Sequence, residues 1–270
     1  MSKKECKPTQ LTKILIAGCT HEPYVDVGLW TAFCDFAKSF KPDVFVRNGD
    51  IFDFYGISRF SQDPKRADSM AAERDIFIEH EEMIQKALPK QCVCIANKGN
   101  HEDRVCKYVL RRPDVMEFMK RFGMEWPTWY SFLQLNRWGY DCRDSEGVRL
   151  PRIMFGDLAV WHGVQCNKYS VAANVAKMGN NACNHTHRCR SWSSVVGGKN
   201  RYGFEMGHMA DIKVAHDYIE DQEDWQQGFG VLHFDDVTGC FDVQVVTVKD
   251  VEGTNMHQFS YGGSYWRWGK

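Results

Sequence analysis

The sequence contains no run of 18 consecutive apolar residues, so nothing in it reads as a membrane span. Net charge is almost absent too. The 34 Lys and Arg stand against 35 Asp and Glu, a formal charge of −1, so no global field advertises nucleic acid or a membrane surface as partner. No Cys-x-x-Cys pair occurs, and the 11 cysteines are odd in number. Met1-Ser2-Lys3-Lys4-Glu5 is charged and leads straight into a short strand, unlike an export signal. These features argue against a disulfide framework and for reduced thiols in a cytoplasm. There is no Pro- or Ser-rich linker and no internal repeat, so the 270 residues are expected to form one domain. At 43% apolar and 26% charged residues, the composition is that of an ordinary globular enzyme.

What is present is a run of short apolar segments, each ending in a polar turn. Lys13 to Gly18 reads as a strand and runs into Cys19-Thr20-His21-Glu22-Pro23. Val27 to Phe40 has Trp30, Phe33, Phe36 and Ala37 at helical spacing. Asp43 to Arg47 is a second strand, followed by Asn48-Gly49-Asp50-Ile51-Phe52-Asp53, then a helix over about Asp63 to Ala87. Cys92 to Ala96 is a third strand and opens into Lys98-Gly99-Asn100-His101-Glu102-Asp103-Arg104. This β-α-β-α-β order predicts a parallel sheet with right-handed crossovers, and parallel strands place the three polar turns on one edge. A helical region from Asp103 to Phe122 is broken at Pro113, and aromatics cluster from Trp126 to Phe132, as core filling or as a lid over residues 113–145.

The second half changes character. Val148 to Phe155, Leu158 to His162, Trp192 to Val196, Tyr202 to Glu205, Gly230 to Phe234 and Phe241 to Val248 are β-like, with one helix over Ser170 to Met178. This suits a second, mixed sheet packed on the first. The tail from 252 to 270, rich in Gly and aromatics, is either a packed extension or a loose end.

Ten histidines are present, and His21, His101, His162, His185 and His187 fall in polar turns after apolar runs or in a polar loop. His185-Thr186-His187 spaces two imidazoles at i and i+2, on one face of an extended segment. Neutral imidazoles with carboxylates suit Zn, Mn or Fe. His80, His216, His233 and His257 match no such pattern and read as structural.

The ordered blocks Cys19-x-His21, Gly49-Asp50-x-x-Asp53, Gly99-Asn100-His101-Glu102, His162-Gly163 and Asn184-His185-x-His187-Arg188 resemble the calcineurin-like metallophosphoesterase superfamily. A closer likeness, to phosphoesterases common in bacteriophage genomes, rests on Gly207-His208-Met209-Ala210-Asp211 and Asp224-Trp225-Gln226-Gln227-Gly228-Phe229. The resemblance implies an α/β fold, a four-layer α/β/β/α sandwich of two mixed sheets with flanking helices. It implies two divalent metal ions. One would take Cys19, His21, Asp50 and His187, the other Asp50, Asn100, His162 and His185, with Asp50 bridging. It also implies a phosphoesterase attacking its substrate with a metal-bridging hydroxide. His101 would protonate the leaving oxygen, Asp53 would orient His101, and Arg104, Arg188 and His208 would hold the substrate phosphate.

Two positions depart from the family pattern. Cys19 stands where an Asp is usual, and a thiolate favours Zn or Fe over Mn or Mg. Asn184 stands where Gly is usual, a mild change because Asn tolerates left-handed backbone. The expected substrate is a phosphate ester, on balance a phosphodiester in a nucleotide or nucleic acid, with the basic helix around residues 104–121 in favour. A phosphomonoesterase is the first alternative. The second is a non-catalytic binding module of the same fold with a degraded first metal site. The expected location is the cytoplasm, that of a host if the chain is viral.

Overall fold

In the first strand the side chains alternate between two environments, both dry. Ile14 and Ile16 point into one core, Leu15 and Ala17 into another, and all four are buried. A strand buried on both faces reads as a continuous apolar run, as Lys13 to Gly18 does. The protein is described here from a computed structural model covering residues 11–58, 70–125, 127–143, 150–211 and 224–269.

In chain order the first half lays down β1 (Thr12–Ala17), α1 (Val27–Phe40), β2 (Val44–Asn48), α2 (Met70–Ala87), β3 (Val93–Asn97), α3 (Glu102–Leu110), α4 (Pro113–Arg121), α5 (Trp129–Phe132) and β4 (Asp141–Arg143). The second half adds β5 (Arg152–Phe155), β6 (Leu158–Trp161), α6 (Ser170–Met178), β7 (Asn181–Cys183), β8 (Cys189–Val196), β9 (Lys199–Met206), β10 (Gly228–Phe234) and β11 (Phe241–Thr247). It ends in β12 (Lys249–Val251), β13 (Met256–Tyr261) and β14 (Ser264–Gly269).

The first sheet runs β11-β10-β1-β2-β3-β4, with β1 to β4 parallel and β10 and β11 antiparallel at one side. The second runs β5-β6-β7-β9-β8 and is also mixed. Between the sheets lies a core of Ile14, Ile16, Val46 and Ile95 from one side and Ile153, Leu158, Val160, Phe204 and Met206 from the other. A larger core, with Trp30, Phe33, Phe36, Phe45, Phe77 and Phe229, lies under α1 and α2. Helix α6 covers the outer face of the second sheet. A Cβ at Gly203 in β9 would crowd Val171 and Val175, so glycine lets the helix approach closely. The expected four-layer sandwich is therefore present.

Local chemistry explains the boundaries. The Asp26 carboxylate caps α1 by accepting the Leu29 N–H at 2.9 Å, and Lys41 ends the helix in left-handed backbone. Pro113 separates α3 from α4 by taking the first turn of the second helix, where its missing N–H costs nothing. Helix α2 is described from Met70, so its expected start at Asp63 lies outside the described residues. The Tyr202 to Glu205 run is the inner end of a longer hairpin, β8–β9, which turns at Gly197-Gly198.

Two stretches are now placed. Within 113–145, Trp129, Leu133, Leu135 and Tyr140 are buried in the larger core and β4 extends the parallel sheet, while α4 buries no residue. The C-terminal tail forms a three-stranded antiparallel sheet, β12-β13-β14. It lays Phe259, Tyr261 and Trp266 against Phe36 of α1, with ring centroids 5.0–5.8 Å apart.

One charged network runs through the larger core. Arg47 is fully buried, its guanidinium 2.7 Å from Glu81, 4.0 Å from Glu22 and stacked 4.5 Å over Trp30. Glu22 in turn meets His80 at 2.8 Å, and the Tyr140 hydroxyl donates to Glu81 at 2.7 Å. The neighbouring carboxylates hold the Arg47 charge against a burial that opposes it. Removing the cation alone strands two buried carboxylates. Arg47→Met is expected to cost about 3–5 kcal/mol in urea unfolding, and adding Glu81→Gln is expected to restore part of that loss. A single-variant cost under about 1 kcal/mol would show the network to be energetically idle.

Candidate metal centre

The turns after β1, β2 and β3 meet on one edge because parallel strands end there together. The first two turns are joined by backbone bonds: Cys19 N–H to Gly49 C=O at 3.0 Å, His21 to Asp50 at 2.9 Å, Glu22 to Ile51 at 2.8 Å, and Asp53 to Glu22 at 2.9 Å. The third is tied in by one side chain. The buried Glu102 carboxylate, at the start of α3, accepts the N–H groups of Gly99 (2.8 Å), Asp50 (2.9 Å), Ile51 (2.8 Å) and Phe52 (3.2 Å). Gly99 is needed for this approach, since a Cβ there would collide with the Asp50 backbone nitrogen and Oδ1.

This packing gathers three donor groups, the third being His21, Asp53 and His101. Cys19, His21, Asp50 and His187 bring four ligand atoms within 4.8 Å of one another, and Asp50, His162 and His185 form a second such group. Asn100 joins the second, its Oδ1 2.9 Å from His162 Nε2. Asp50 belongs to the first and the second, with Oδ2 3.2 Å from His162 Nε2 and 3.9 Å from His21 Nε2. All seven residues expected as ligands thus converge. The four members of the first group all hold left-handed backbone: Cys19 at φ 52°, His21 at 48°, Asp50 at 48° and His187 at 58°. Such geometry costs of order 1–3 kcal/mol per residue and persists only where the surroundings impose it.

The donor chemistry fits a pair of cations. His21 Nε2 faces His187 Nε2 at 3.2 Å, and His162 Nε2 faces His185 Nδ1 at 3.2 Å. Ring nitrogens this close in a buried site, with a carboxylate beside them, are a donor set that a cation can occupy. Burial, with neighbouring imidazoles adding to it, pushes His21 and His187 below the ordinary histidine range and His185 down to about 4. All three are therefore neutral, as ligands must be. Burial raises Asp50, but His162, His101 and His21 outweigh it and hold its carboxyl well below the usual range. Burial, then Asp50 and Glu102, push the Cys19 thiol up. A cation binding there must release that proton.

Beside the first two groups, His101 Nδ1 lies 2.9 Å from Asp53 Oδ1, and its Nε2 lies 3.0 Å from Arg104 Nη2. Burial lowers His101, but Asp50 and Asp53 outweigh it and raise the imidazole. Helix α3 begins early enough for Arg104 to fall in its first turn and fold back, its Nη1 donating to the Asp53 carbonyl at 2.7 Å. A cleft of about 360 Å³ opens beside Asn100, Arg104 and His185.

Arg188 and His208 are placed differently from the substrate contacts expected of them. Arg188 is committed to the Cys166 and Asn167 carbonyls, both at 3.0 Å, and to Asp224 at 2.5 Å. His208 is fully buried behind His187 and Trp225, at ring-centroid distances of 5.3 and 5.5 Å. Neither lines the cleft. His80, His233 and His257 make structural contacts, with Glu22, Tyr261 and Asp250, while His216 lies outside the described residues.

Three features escaped the sequence reading. The first is the role of Glu102, named in its motif block but not as the tie between the turns. The second is an amide chain beneath the centre: Asn97 Nδ2 donates to Asn48 Oδ1 (2.9 Å) and Asn48 Nδ2 to Asn184 Oδ1 (2.8 Å). Asn184 Nδ2 continues it to the Gly207 carbonyl (2.9 Å). The third corrects the view of Asn184, which does not take left-handed backbone. Its side chain links the loops of both sheets, and Gly18 leaves room for it.

An α/β/β/α sandwich thus carries candidate metal-binding groups of histidine and carboxylate at the ends of its central strands. A family model for calcineurin-like phosphoesterases matches residues 12–230, and the chain belongs to that family. Solved structures similar to it include Vps29 from Cryptosporidium parvum (11% identity, TM-score 0.44, covering 96% of this chain and 99% of that one). Others are wild-type Vps29 complexed with zinc from Entamoeba histolytica (13%, 0.39, 94% and 96%) and TT1561 of Thermus thermophilus (10%, 0.32, 87% and 99%). No curated protein matches the chain. No helix among the described residues is long and apolar enough to cross a membrane.

The lowered histidines make the metal-free protein acid-sensitive. A histidine held neutral in the fold, such as His208 at about 3 through burial and then His21, binds its proton only on unfolding. Its stabilisation is full above the unfolded value near 6.5 and is lost as pH falls toward the folded value. His101 and His162, both raised, act in the opposite sense. In EDTA, stability by urea unfolding is expected to fall from pH 6 to pH 5. His208→Gln is expected to make that fall shallower by about 1.4 kcal/mol per pH unit; an unchanged slope would show that His208 does not titrate on unfolding.

Proposed function

We propose that the protein is a binuclear metal-dependent phosphoesterase that hydrolyses a phosphodiester in a nucleotide or nucleic acid. The observation that carries this reading is Asp50, one carboxylate common to two donor groups. Cys19, His21, Asp50 and His187 would hold one ion, and Asp50, Asn100, His162 and His185 the other. Once bound, a pair of divalent cations supplies Lewis acidity to the phosphate oxygens and acidifies water. Asn100 contributes a neutral oxygen, which limits the negative charge facing an anionic substrate.

The chain's own groups supply the rest. Water attacks phosphorus as the ester P–O bond on the opposite side breaks, and His101 delivers a proton from Nε2 to the departing oxygen. Asp53 holds His101 through Nδ1, leaving Nε2 beside Arg104 at 3.0 Å and Asp50 Oδ2 at 3.8 Å. Arg104, at the cleft wall, exchanges its contact with His101 for a phosphate oxygen. Substrate enters through the cleft beside Asn100 and His185 rather than past Arg188 or His208. The thiol at position 19 makes Zn or Fe the better occupant of the first site than Mn.

After separate loading with Mn, Zn and Fe, the protein is expected to turn over a chromogenic phosphodiester faster than its monoester. His101→Ala and Asn100→Ala are each expected to lower kcat by about 10²–10⁴-fold. Folded protein that is silent with every metal would favour a non-catalytic binding module instead. Cys19→Asp is expected to raise Mn-supported activity and weaken zinc retention, measured as bound metal after dialysis. No change in either would remove Cys19 from the ligand set.

A further inference from the structure

The cleft beside the centre has one charged wall. Arg104, Lys107 and Arg111 fall at spacings of three and four residues, so they share one face of α3 and its last turn, and all three line the cleft. At 1.5 Å per residue, Arg104 to Arg111 spans about 10 Å along the helix axis. That length leads away from Asn100 and His185, the donor residues at the inner end of the cleft. Ile57, Leu150 and Val164 add apolar surface to the lining, and Asp103 adds one carboxylate.

The charge on this wall is only partly neutralised. Lys107 meets Asp103 at 2.7 Å, and Asp103 also meets Lys98 at 3.7 Å. Arg111 is exposed and has no acidic partner among the described residues. In a chain of formal charge −1, a row of cations on one cleft wall is a local feature and not the spill-over of a basic surface. A mononucleotide phosphate seated at the donor groups reaches Arg104 and has no use for Lys107 or Arg111. A strand whose neighbouring phosphates continue outward uses both.

Resting on the phosphoesterase reading above, we infer that the substrate is a single-stranded oligonucleotide. Its phosphates beyond the scissile one are held by Lys107 and Arg111. This wall tracks the backbone without reading base edges, so recognition is tolerant of sequence.

The test compares wild type with Lys107→Ala/Arg111→Ala on a single-stranded oligonucleotide, a nucleoside triphosphate and a chromogenic phosphodiester carrying one phosphate. The double variant is expected to lower the ratio of oligonucleotide to chromogenic kcat/KM by ~10-fold or more, mostly through KM. An unchanged ratio overturns the inference and leaves the phosphoesterase reading standing. A loss confined to the triphosphate also overturns the strand assignment. Binding of a fluorescent oligonucleotide in EDTA, followed by anisotropy against salt, decides the matter without turnover. The slope of log affinity on log salt is expected to be shallower by about 1.4 in the double variant, about 0.7 for each lost phosphate contact. Equal slopes overturn the inference. If neither diester is hydrolysed but the slopes differ as expected, the phosphoesterase reading fails and the strand-binding wall stands.

Discussion

The carboxylate of Glu102 sets where everything else at the centre can be. It sits fully buried at the start of α3 and takes four backbone N–H groups from the turns after β2 and β3. These N–H groups favour the charged carboxylate, while burial and then the neighbouring Asp50 outweigh them and raise it above the usual range. The same bonds dictate the path of residues 50–52, and so the direction of the Asp50 side chain. Asp50 then serves two donor groups, and its Oδ1 accepts the His101 N–H at 2.9 Å. One side chain outside the donor groups therefore positions Asp50 and, through it, His101.

A second consequence is strain concentrated in one place. Four residues of the first donor group lie in left-handed backbone, which an isolated loop would not keep. The fold sustains it because the turns are cross-tied by backbone bonds and underlain by the chain Asn97–Asn48–Asn184. That amide chain crosses from the first sheet to the loops of the second, so the two halves of the centre are tied together by side-chain hydrogen bonds. The buried Arg47 network continues the same tie on the helix side, reaching Glu22 in the turn that carries His21. Stability and site geometry are thus two readings of one set of polar contacts.

The substitution at position 19 matters because the rest of the centre is conventional in chemistry. Its sulfur is buried among histidines and a carboxylate, a setting that keeps a free thiol protonated and rewards a soft cation that displaces the proton. Imidazole nitrogens held 3.2 Å apart add the same pressure toward occupancy. Charge outside the centre is distributed differently: the cations that face the cleft lie on α3, the helix whose first residue is Glu102. A single helix thereby anchors the centre at one end and presents positive charge along its length.

Much of this was legible in the order of residues. Apolar runs ending in polar turns required a parallel sheet with those turns on one edge, because strand direction alone decides which ends coincide. The same pattern marked five histidines. The likeness of the short motif blocks to the family added Cys19, Asp50 and Asn100 as candidate donors, which the fold brings beside His21, His162, His185 and His187. The spacing Trp30, Phe33, Phe36, Ala37 likewise foretold the buried face of α1, for period 3.6 is a property of the backbone. What linear order did not carry is contact between residues far apart in the chain. Glu102 meets Ile51, Asn48 meets Asn184, and Arg188 meets Asp224 only after the sheets have packed. Arg188 and His208 have the right chemistry for a phosphate site, yet one is tied to neighbouring carbonyls and the other is sealed behind His187. Reach and burial depend on three-dimensional neighbours, and those belong to the tertiary structure alone.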